Sequence, residues 1–159
     1  MSQTQNPAII ILFCSAAALS AALIGQYGFD LQPCQLCIYQ RIPYAIAIAL
    51  ALCSLIARQY LWPVIALCGL AFAANSGLAL YHVGVEQHWW AGPASCSAGI
   101  GGAKTVEDLI NQLQKAVKVP SCDQVQWSLF GVSMAGYNLL ASVGLAAFSF
   151  AAVRRGRSS

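Results

Sequence analysis

The chain has 159 residues, of which 58% are hydrophobic and only 8% are charged, with a formal net charge of +3. A soluble domain carries about 25% charged residues, so this chain is too poor in charge to cover a water-facing surface. We interpret residues 1–159 as one integral membrane domain in a lipid bilayer. The small positive charge reflects mainly Arg154, Arg155 and Arg157, which argues against nucleic acid as a partner.

Four apolar stretches follow one another along the chain, at about residues 8–24, 42–57, 62–80 and 130–153. Each is close to the roughly 20 residues that a helix needs to cross about 30 Å of hydrocarbon. Backbone polar groups in lipid must be satisfied within their own segment, which favours helices. We therefore predict an all-α membrane protein, an antiparallel bundle of four transmembrane helices. The first stretch follows no Lys or Arg and precedes no clear cleavage site, so we expect it to remain as a span.

Two loops, at about residues 25–41 and 81–129, lie on the same side of this bundle. In the second, Thr105 and Asp108 are typical of a helix N-cap with an acid in the first turn. Pro120 would end such a helix. Apolar residues between them recur at helical spacing: Val106, Leu109, Ile110, Leu113 and Val117. We predict a short amphipathic helix, either on the membrane surface or packed on its own loop.

The distribution of basic residues predicts the orientation. Four spans place both termini on one side, which carries Arg58 and the C-terminal arginines but no Asp or Glu. Basic residues in short connections mark the cytoplasmic side of a membrane protein. We therefore expect both termini in the cytoplasm and both long loops on the opposite side.

Four of the seven cysteines form two pairs in these outer loops. Cys34 and Cys37 form a CxxC motif, which is a redox or metal-binding unit, and Cys96 and Cys122 form a wider pair. Paired loop cysteines fit an oxidising compartment such as a bacterial periplasm, in agreement with the charge distribution. One pair can re-oxidise the other by thiol–disulfide exchange. The remaining three cysteines lie in apolar stretches and are interpreted as packing residues: Cys14, Cys53 and Cys68.

The surroundings of the CxxC motif favour reactivity. Cys37 is placed near the start of the second helix, where free N–H groups and the helix dipole favour a thiolate. Arg41, one turn further on, would stabilise that thiolate and hold an oxygen of a bound ligand, or else extend to the interface as an anchor. A four-cysteine zinc site is disfavoured because Cys96 and Cys122 are not a CxxC, and we predict no metal. A purely structural disulfide is an alternative for that wide pair.

Two histidines lie near the membrane end of the long loop. Either His82 or His88 can transfer a proton at physiological pH, but a single interfacial histidine can also be merely polar. The same ambiguity applies to Glu86. Their roles are left open by the sequence.

Residues 33–41, with the sequence Pro-Cys-Gln-Leu-Cys-Ile-Tyr-Gln-Arg, resemble the first periplasmic motif of the disulfide bond formation protein B family, DsbB, which is P-C-x-L-C-x-x-x-R. Residues 122–127 and 130–134 are similar to the start of that family's fourth span. The Cys96 and Cys122 pair matches its second periplasmic cysteine pair. The segments 81–84 and 89–93 differ from the best-known members, which indicates a divergent branch whose partner is either the general oxidase or a dedicated one.

The resemblance implies a thiol oxidase of the bacterial inner membrane with a quinone, ubiquinone or menaquinone, as cofactor. Its partner would be a periplasmic thioredoxin-fold dithiol oxidase of the DsbA type. Cys96 and Cys122 would exchange with this partner, and Cys34 and Cys37 would exchange with them. Cys37 would face the quinone, and Arg41 matches the family's quinone-site arginine, whereas His82 has no secure match.

Two other functions fit parts of the pattern. Vitamin K epoxide reductases also combine a CxxC and a loop cysteine pair with a four-helix bundle, but their CxxC belongs near the start of the last helix. A membrane scaffold with purely structural disulfides is the non-enzymatic alternative. Thiols that cycle between oxidation states would distinguish either enzyme from the scaffold.

Overall fold

The computed structural model describes residues 6–93, 105–107 and 121–157. Four long helices account for most of them: α1 (Asn6–Gly28), α2 (Gln35–Ile56), α3 (Leu61–Glu86) and α4 (Met134–Arg157). A 3₁₀ turn at Arg58–Tyr60 joins α2 to α3, and a hairpin of β1 (Ser128–Leu129) and β2 (Val132–Ser133) precedes α4. Cys96 lies outside the described residues. So does the predicted amphipathic helix, apart from residues 105–107.

The prediction of an all-α protein with four membrane-spanning helices is confirmed. All four helices are long and apolar enough to cross a bilayer. Two of them extend well beyond the apolar stretches from which they were predicted, since α2 begins at Gln35 and α3 continues to Glu86. The added turns contain several polar residues. A search for apolar stretches therefore leaves these turns out of the span.

The contacts between α3 and α4 show that the two helices run in opposite directions. Glu86 at the end of α3 meets Ser133 just before α4, whereas Asn75 near the middle of α3 meets Ser142. Near the start of α3, a Cβ atom on Gly69 would lie 3.1 Å from the Ser149 side chain. The absence of a side chain at Gly69 therefore allows the two helices to approach closely.

The start of α4 is set by the hairpin. Phe130 and Gly131 have φ angles of 51° and 78°, and positive φ at both central residues is what a two-residue type I′ turn requires. The Met134 N–H donates to the Trp127 carbonyl at 3.3 Å. The fourth apolar stretch therefore begins as a turn at residue 130, and the helix itself begins at Met134.

The end of α3 is a Schellman motif in which His88 adopts the left-handed conformation, with φ 59°. The Trp89 N–H donates to the Gly84 carbonyl at 2.8 Å. Trp90 then folds back over Gly84, stacks on the Tyr81 ring at 6.0 Å and donates its Nε1–H to the Tyr81 carbonyl. The first residues of the long loop are thereby fixed against the last turns of α3.

Candidate active site

Cys34 is the N-cap residue of α2. Its sulfur accepts a hydrogen bond from the Cys37 N–H at 3.3 Å and lies 2.9 Å from the Cys37 sulfur, within hydrogen-bond distance. Both thiols are free, and Cys34 is 2% exposed. Two sulfurs this close can join or separate as a disulfide with little movement of the backbone.

His82 of α3 is the third member of this cluster. Its Nε2 lies 3.5 Å from the Cys34 sulfur, and its Nδ1 accepts a hydrogen bond from the Gln40 side-chain amide at 3.2 Å. The imidazole is 2% exposed. With Nδ1 as the acceptor, the proton of a neutral imidazole is on Nε2 and points at Cys34.

Cys34 is the sulfur that this arrangement keeps as a thiolate. The hydrogen bond from the Cys37 thiol, together with His82, lowers the pKa of Cys34 to about 4 against the opposing effect of burial. The sequence interpretation placed the thiolate on Cys37 because it expected α2 to begin later. Since the helix begins at Gln35, Cys34 takes the N-cap position that was expected to favour Cys37.

Arg41, also on α2, contacts α1. Its guanidinium donates to the Gln26 Oε1 at 2.5 Å and to the Ala22 carbonyl at 3.4 Å. These bonds hold the arginine side chain in the α1–α2 interface. The two expected roles of Arg41, toward the thiolate and toward a ligand oxygen, both stay predictions.

A cavity of about 260 Å³ lies beside the cysteines. Its polar wall includes Cys34, Cys37, Arg41, His82 and Glu86. The opposite wall consists mostly of small or apolar residues of α1 and α4, including Ala18, Ala22, Gly25, Met134 and Ala141. Drug-sized ligands occupy pockets of about 300–1,000 Å³, so this cavity suits a compact ring system, smaller than a typical drug.

Glu86 closes the polar wall one turn after His82. One carboxylate oxygen lies 3.9 Å from the His82 Nε2, and the other accepts a hydrogen bond from the Ser133 hydroxyl at 2.5 Å. The sequence left His82 and Glu86 undecided because the third apolar stretch ends at residue 80. Their i,i+4 spacing, which places two side chains on one helical face, was the available signal.

The second predicted cysteine pair is described through Cys122, which is disulfide-bonded and 1% exposed. It packs in a buried cluster with Cys34, Leu36 and Val85. The structure thus brings together three of the four predicted redox cysteines. His88, in contrast, is exposed and serves as the turn residue after α3.

Cys34, Cys37 and His82 also form a group that could hold a metal ion, since their ligand atoms lie within 4.8 Å of one another. When the Gln40 amide donates to the His82 Nδ1, however, a neutral imidazole carries its proton on Nε2, which lies 3.5 Å from the Cys34 sulfur. That nitrogen has no lone pair for a metal until the proton leaves. The expected absence of a metal stays a prediction.

Comparison with known proteins agrees with this geometry. The profile of the family "Disulfide bond formation protein DsbB" matches residues 4–152. A disulfide bond formation protein B of Methylococcus capsulatus is 33% identical over 149 residues, covering 87% of this chain and 86% of that protein. The same-named protein of Haemophilus influenzae is 32% identical over 133 residues, covering 79% and 72%.

An uncharacterized protein of Rickettsia prowazekii is 32% identical over 141 residues, covering 88% of this chain and 82% of that protein. No solved structure matches the chain at a significant level. The family match spans all four helices, and family membership implies disulfide oxidoreductase activity in a multi-pass protein that fits a bacterial inner membrane. The chain belongs to the DsbB family of disulfide bond formation proteins.

Proposed function

We propose that the protein re-oxidises a periplasmic thioredoxin-fold dithiol oxidase of the DsbA type and delivers the electrons to a membrane quinone. The observation that carries this proposal is the packing of a stabilised Cys34 thiolate between a disulfide-bonded Cys122 and a ligand-sized cavity. A CxxC pair so placed can receive electrons from the Cys122 pair by thiol–disulfide exchange and pass them to an acceptor in the cavity.

The electrons move in pairs through three exchanges. The partner's dithiol reduces a Cys96–Cys122 disulfide and leaves as a disulfide itself. The resulting thiols then reduce a Cys34–Cys37 disulfide, and the Cys34–Cys37 dithiol closes again when its two electrons pass to the acceptor. In each of the first two steps one S–S bond forms and one S–S bond breaks. In the last step the Cys34–Cys37 bond forms and the acceptor takes up the electron pair.

The chemical groups that line the cavity suit a quinone ring. Arg41 supplies a permanent cation, His82 and Glu86 supply an imidazole and a carboxyl group, and the rest of the lining combines small or apolar residues with side-chain amides such as Gln26 and Asn138. When bound, a quinone supplies a two-electron acceptor that takes up two protons. Ubiquinone and menaquinone both meet this description, and the family match supports either.

The proposed sidedness follows from where reactive groups lie. Cys34, Cys122 and the cavity are at the end of the bundle that is opposite to the Arg58 turn and to the C-terminal arginines. Basic residues mark the cytoplasmic side, so both cysteine pairs are proposed to face the periplasm. A soluble periplasmic partner can then reach the long loop.

The test is quinone consumption by the purified protein in the presence of a reduced thioredoxin-fold dithiol oxidase. We expect turnover in the unmodified protein and its loss in Cys34→Ser, Cys37→Ser, Cys96→Ser and Cys122→Ser. Each replacement removes one sulfur of a required disulfide, so no partial activity is expected. Cys53→Ser is the matched control, because Cys53 is a free, exposed cysteine of α2 outside this site. Continued consumption in Cys34→Ser would contradict the proposal.

A further inference from the structure

A line of polar side chains, all buried except the half-buried Asn138, runs from the middle of the bundle to the Cys34 sulfur. It alternates between α2, α3 and α4, and we call it the polar relay. Its members, in order toward the sulfur, are Asn75, Ser142, Tyr44, Asn138, Gln40 and His82. Polar groups buried in a membrane bundle are costly and usually have a task, yet thiol chemistry requires only the last of these residues.

The inner half of the polar relay has a defined direction. The Asn75 amide donates to the Ser142 oxygen at 2.8 Å, and the Tyr44 hydroxyl donates to the Asn138 Oδ1 at 2.6 Å. A tyrosine has one hydroxyl proton. Because Tyr44 gives that proton to Asn138, the single Ser142 proton is shared between the Tyr44 oxygen at 3.1 Å and the Asn138 Oδ1 at 3.5 Å.

The outer half continues in the same direction. With its Oδ1 occupied by Tyr44, Asn138 presents its NH₂ group to the Gln40 Oε1 at 2.8 Å. Gln40 then presents its own NH₂ group to the His82 Nδ1 at 3.2 Å, which leaves the imidazole proton on Nε2, 3.5 Å from the Cys34 sulfur. Every donor in the line points toward Cys34, and aligned hydrogen bonds strengthen one another in a low-dielectric interior.

We propose that Tyr44 and Asn138 are positioning residues that fix the tautomer of His82, so that a proton on Nε2 always faces the Cys34 sulfur. A relay running the other way would place the proton on Nδ1. The Nε2 lone pair would then accept a hydrogen bond from a Cys34 thiol, and the thiolate would lose a donor. The direction of the polar relay thus determines which protonation state of Cys34 is stabilised.

This inference deepens the proposed function, and it rests on that function for its meaning in catalysis. Its test uses neither the soluble partner nor a quinone. A protein that failed to consume quinone could still show the tautomer and the thiolate, so the failure of one proposal is distinguishable from the failure of the other.

The first measurement is the tautomer of His82 by ¹⁵N NMR of histidine-labelled protein with Cys34 and Cys37 reduced. The chain has two histidines, and the exposed His88 provides a reference signal from the same molecule, assigned by His88→Gln. We expect a proton on the Nε2 of His82 and none on its Nδ1. A proton on Nδ1 would overturn the proposal, because it reverses every bond of the polar relay.

The second measurement is the rate of alkylation of Cys34 against pH, followed by mass spectrometry in Asn138→Leu and Tyr44→Phe. The thiolate is lost as the pH falls through its pKa, so a raised pKa moves this loss to higher pH. Charge-assisted hydrogen bonds to a thiolate are strong enough that we expect the midpoint in Asn138→Leu to rise by about one pH unit. Tyr44→Phe removes one oxygen and should raise the midpoint less.

Other groups facing Cys34 are held constant in this comparison. They are Cys37 on α2 and, beside His82 on α3, Glu86. The control is Ser76→Ala, which removes a hydrogen bond to the Phe72 carbonyl on α3 outside the polar relay. We expect no change there. An unchanged Cys34 midpoint in both Asn138→Leu and Tyr44→Phe would overturn the proposal; if Asn138→Leu does not fold, Tyr44→Phe with its single missing oxygen decides.

Discussion

The two sulfurs of the CxxC motif differ although only two residues separate them. Cys34 accepts from the Cys37 N–H, its sulfur lies 2.9 Å from the Cys37 sulfur and 3.5 Å from the His82 Nε2, and these contacts lower its pKa. A sulfur with several donors is stabilised as the anion. In the reduced pair Cys34 is therefore the sulfur that is stabilised as the anion, and both cysteines line the cavity together with Arg41.

Arg41 is the residue at which the proposed electron acceptor can be tested. We expect Arg41→Met to slow quinone reduction at saturating reduced partner by roughly one to two powers of ten. A charge-assisted hydrogen bond is worth about 1.5–3 kcal/mol, and the guanidinium would stabilise the negative charge that develops on a quinone oxygen. Arg41→Lys should lie between, because lysine keeps the charge but loses the planar fork.

The control for Arg41 must separate chemistry from helix packing, since its guanidinium also joins α2 to α1. Gln26→Leu removes the same interhelical hydrogen bond while leaving the arginine in place. We expect its rate of quinone reduction to fall much less. Equal losses in Arg41→Met and Gln26→Leu would reduce Arg41 to a packing residue.

At the scale of the helices, most residues of the candidate site lie near helix ends and few lie near helix middles. The polar turns that extend α2 and α3 beyond their apolar stretches carry Cys37, Gln40, Arg41, His82 and Glu86. An apolar count finds the lipid-facing length of a helix, but the buried polar turn is held by contacts with other helices. For this reason the sequence predicted the existence of each helix correctly and placed the ends of α2 and α3 short of the site.

Gly84 is the point where the end of α3 depends on close packing. A Cβ atom at this position would lie 2.0 Å from the Trp90 ring, so we expect Gly84→Ala to displace Trp90 from Tyr81. Overpacking of this kind costs about 1–3 kcal/mol. Thermal unfolding in detergent, followed by tryptophan fluorescence, should show the loss.

Gly77, on the same helix, is the matched control for Gly84. A Cβ atom there meets nothing within 4 Å. Gly77→Ala should leave stability unchanged or raise it by up to about 1 kcal/mol, because alanine is the better helix former. Equal unfolding temperatures for the two variants would show that the Trp90 contact contributes nothing to the fold.

At the scale of the whole molecule, the proposed orientation in the bilayer can be tested with fused reporters and cysteine labelling. We expect a phosphatase reporter fused after residue 159 to be inactive, and a cytoplasmic fluorescent reporter at the same point to be bright. An impermeant maleimide should label a single cysteine introduced at the exposed Phe130 from the outside of spheroplasts. Labelling of that cysteine only after lysis would reverse the proposed sidedness.

The sequence predicted the architecture better than the site. Span number and the positions of Cys34 and Cys37 follow from local composition and spacing, which need no tertiary information. The contact of His82 with Cys34 joins residues on different helices, as does that of Asn138 with Gln40. Such pairs depend on how helices rotate against each other, which apolar periodicity leaves undetermined when nearly every face is apolar.

The cavity has a consequence for recognition that follows from its position. Ala21 of α1 and Ala141 of α4 line it and are also exposed on the outer surface of the bundle, so it opens sideways between these two helices. For the proposed function, an isoprenoid tail attached to a ring in this cavity would leave through that opening and remain among the lipid chains. The protein would then contact the head group alone. Quinones that differ only in tail length should therefore serve as equivalent substrates within one membrane.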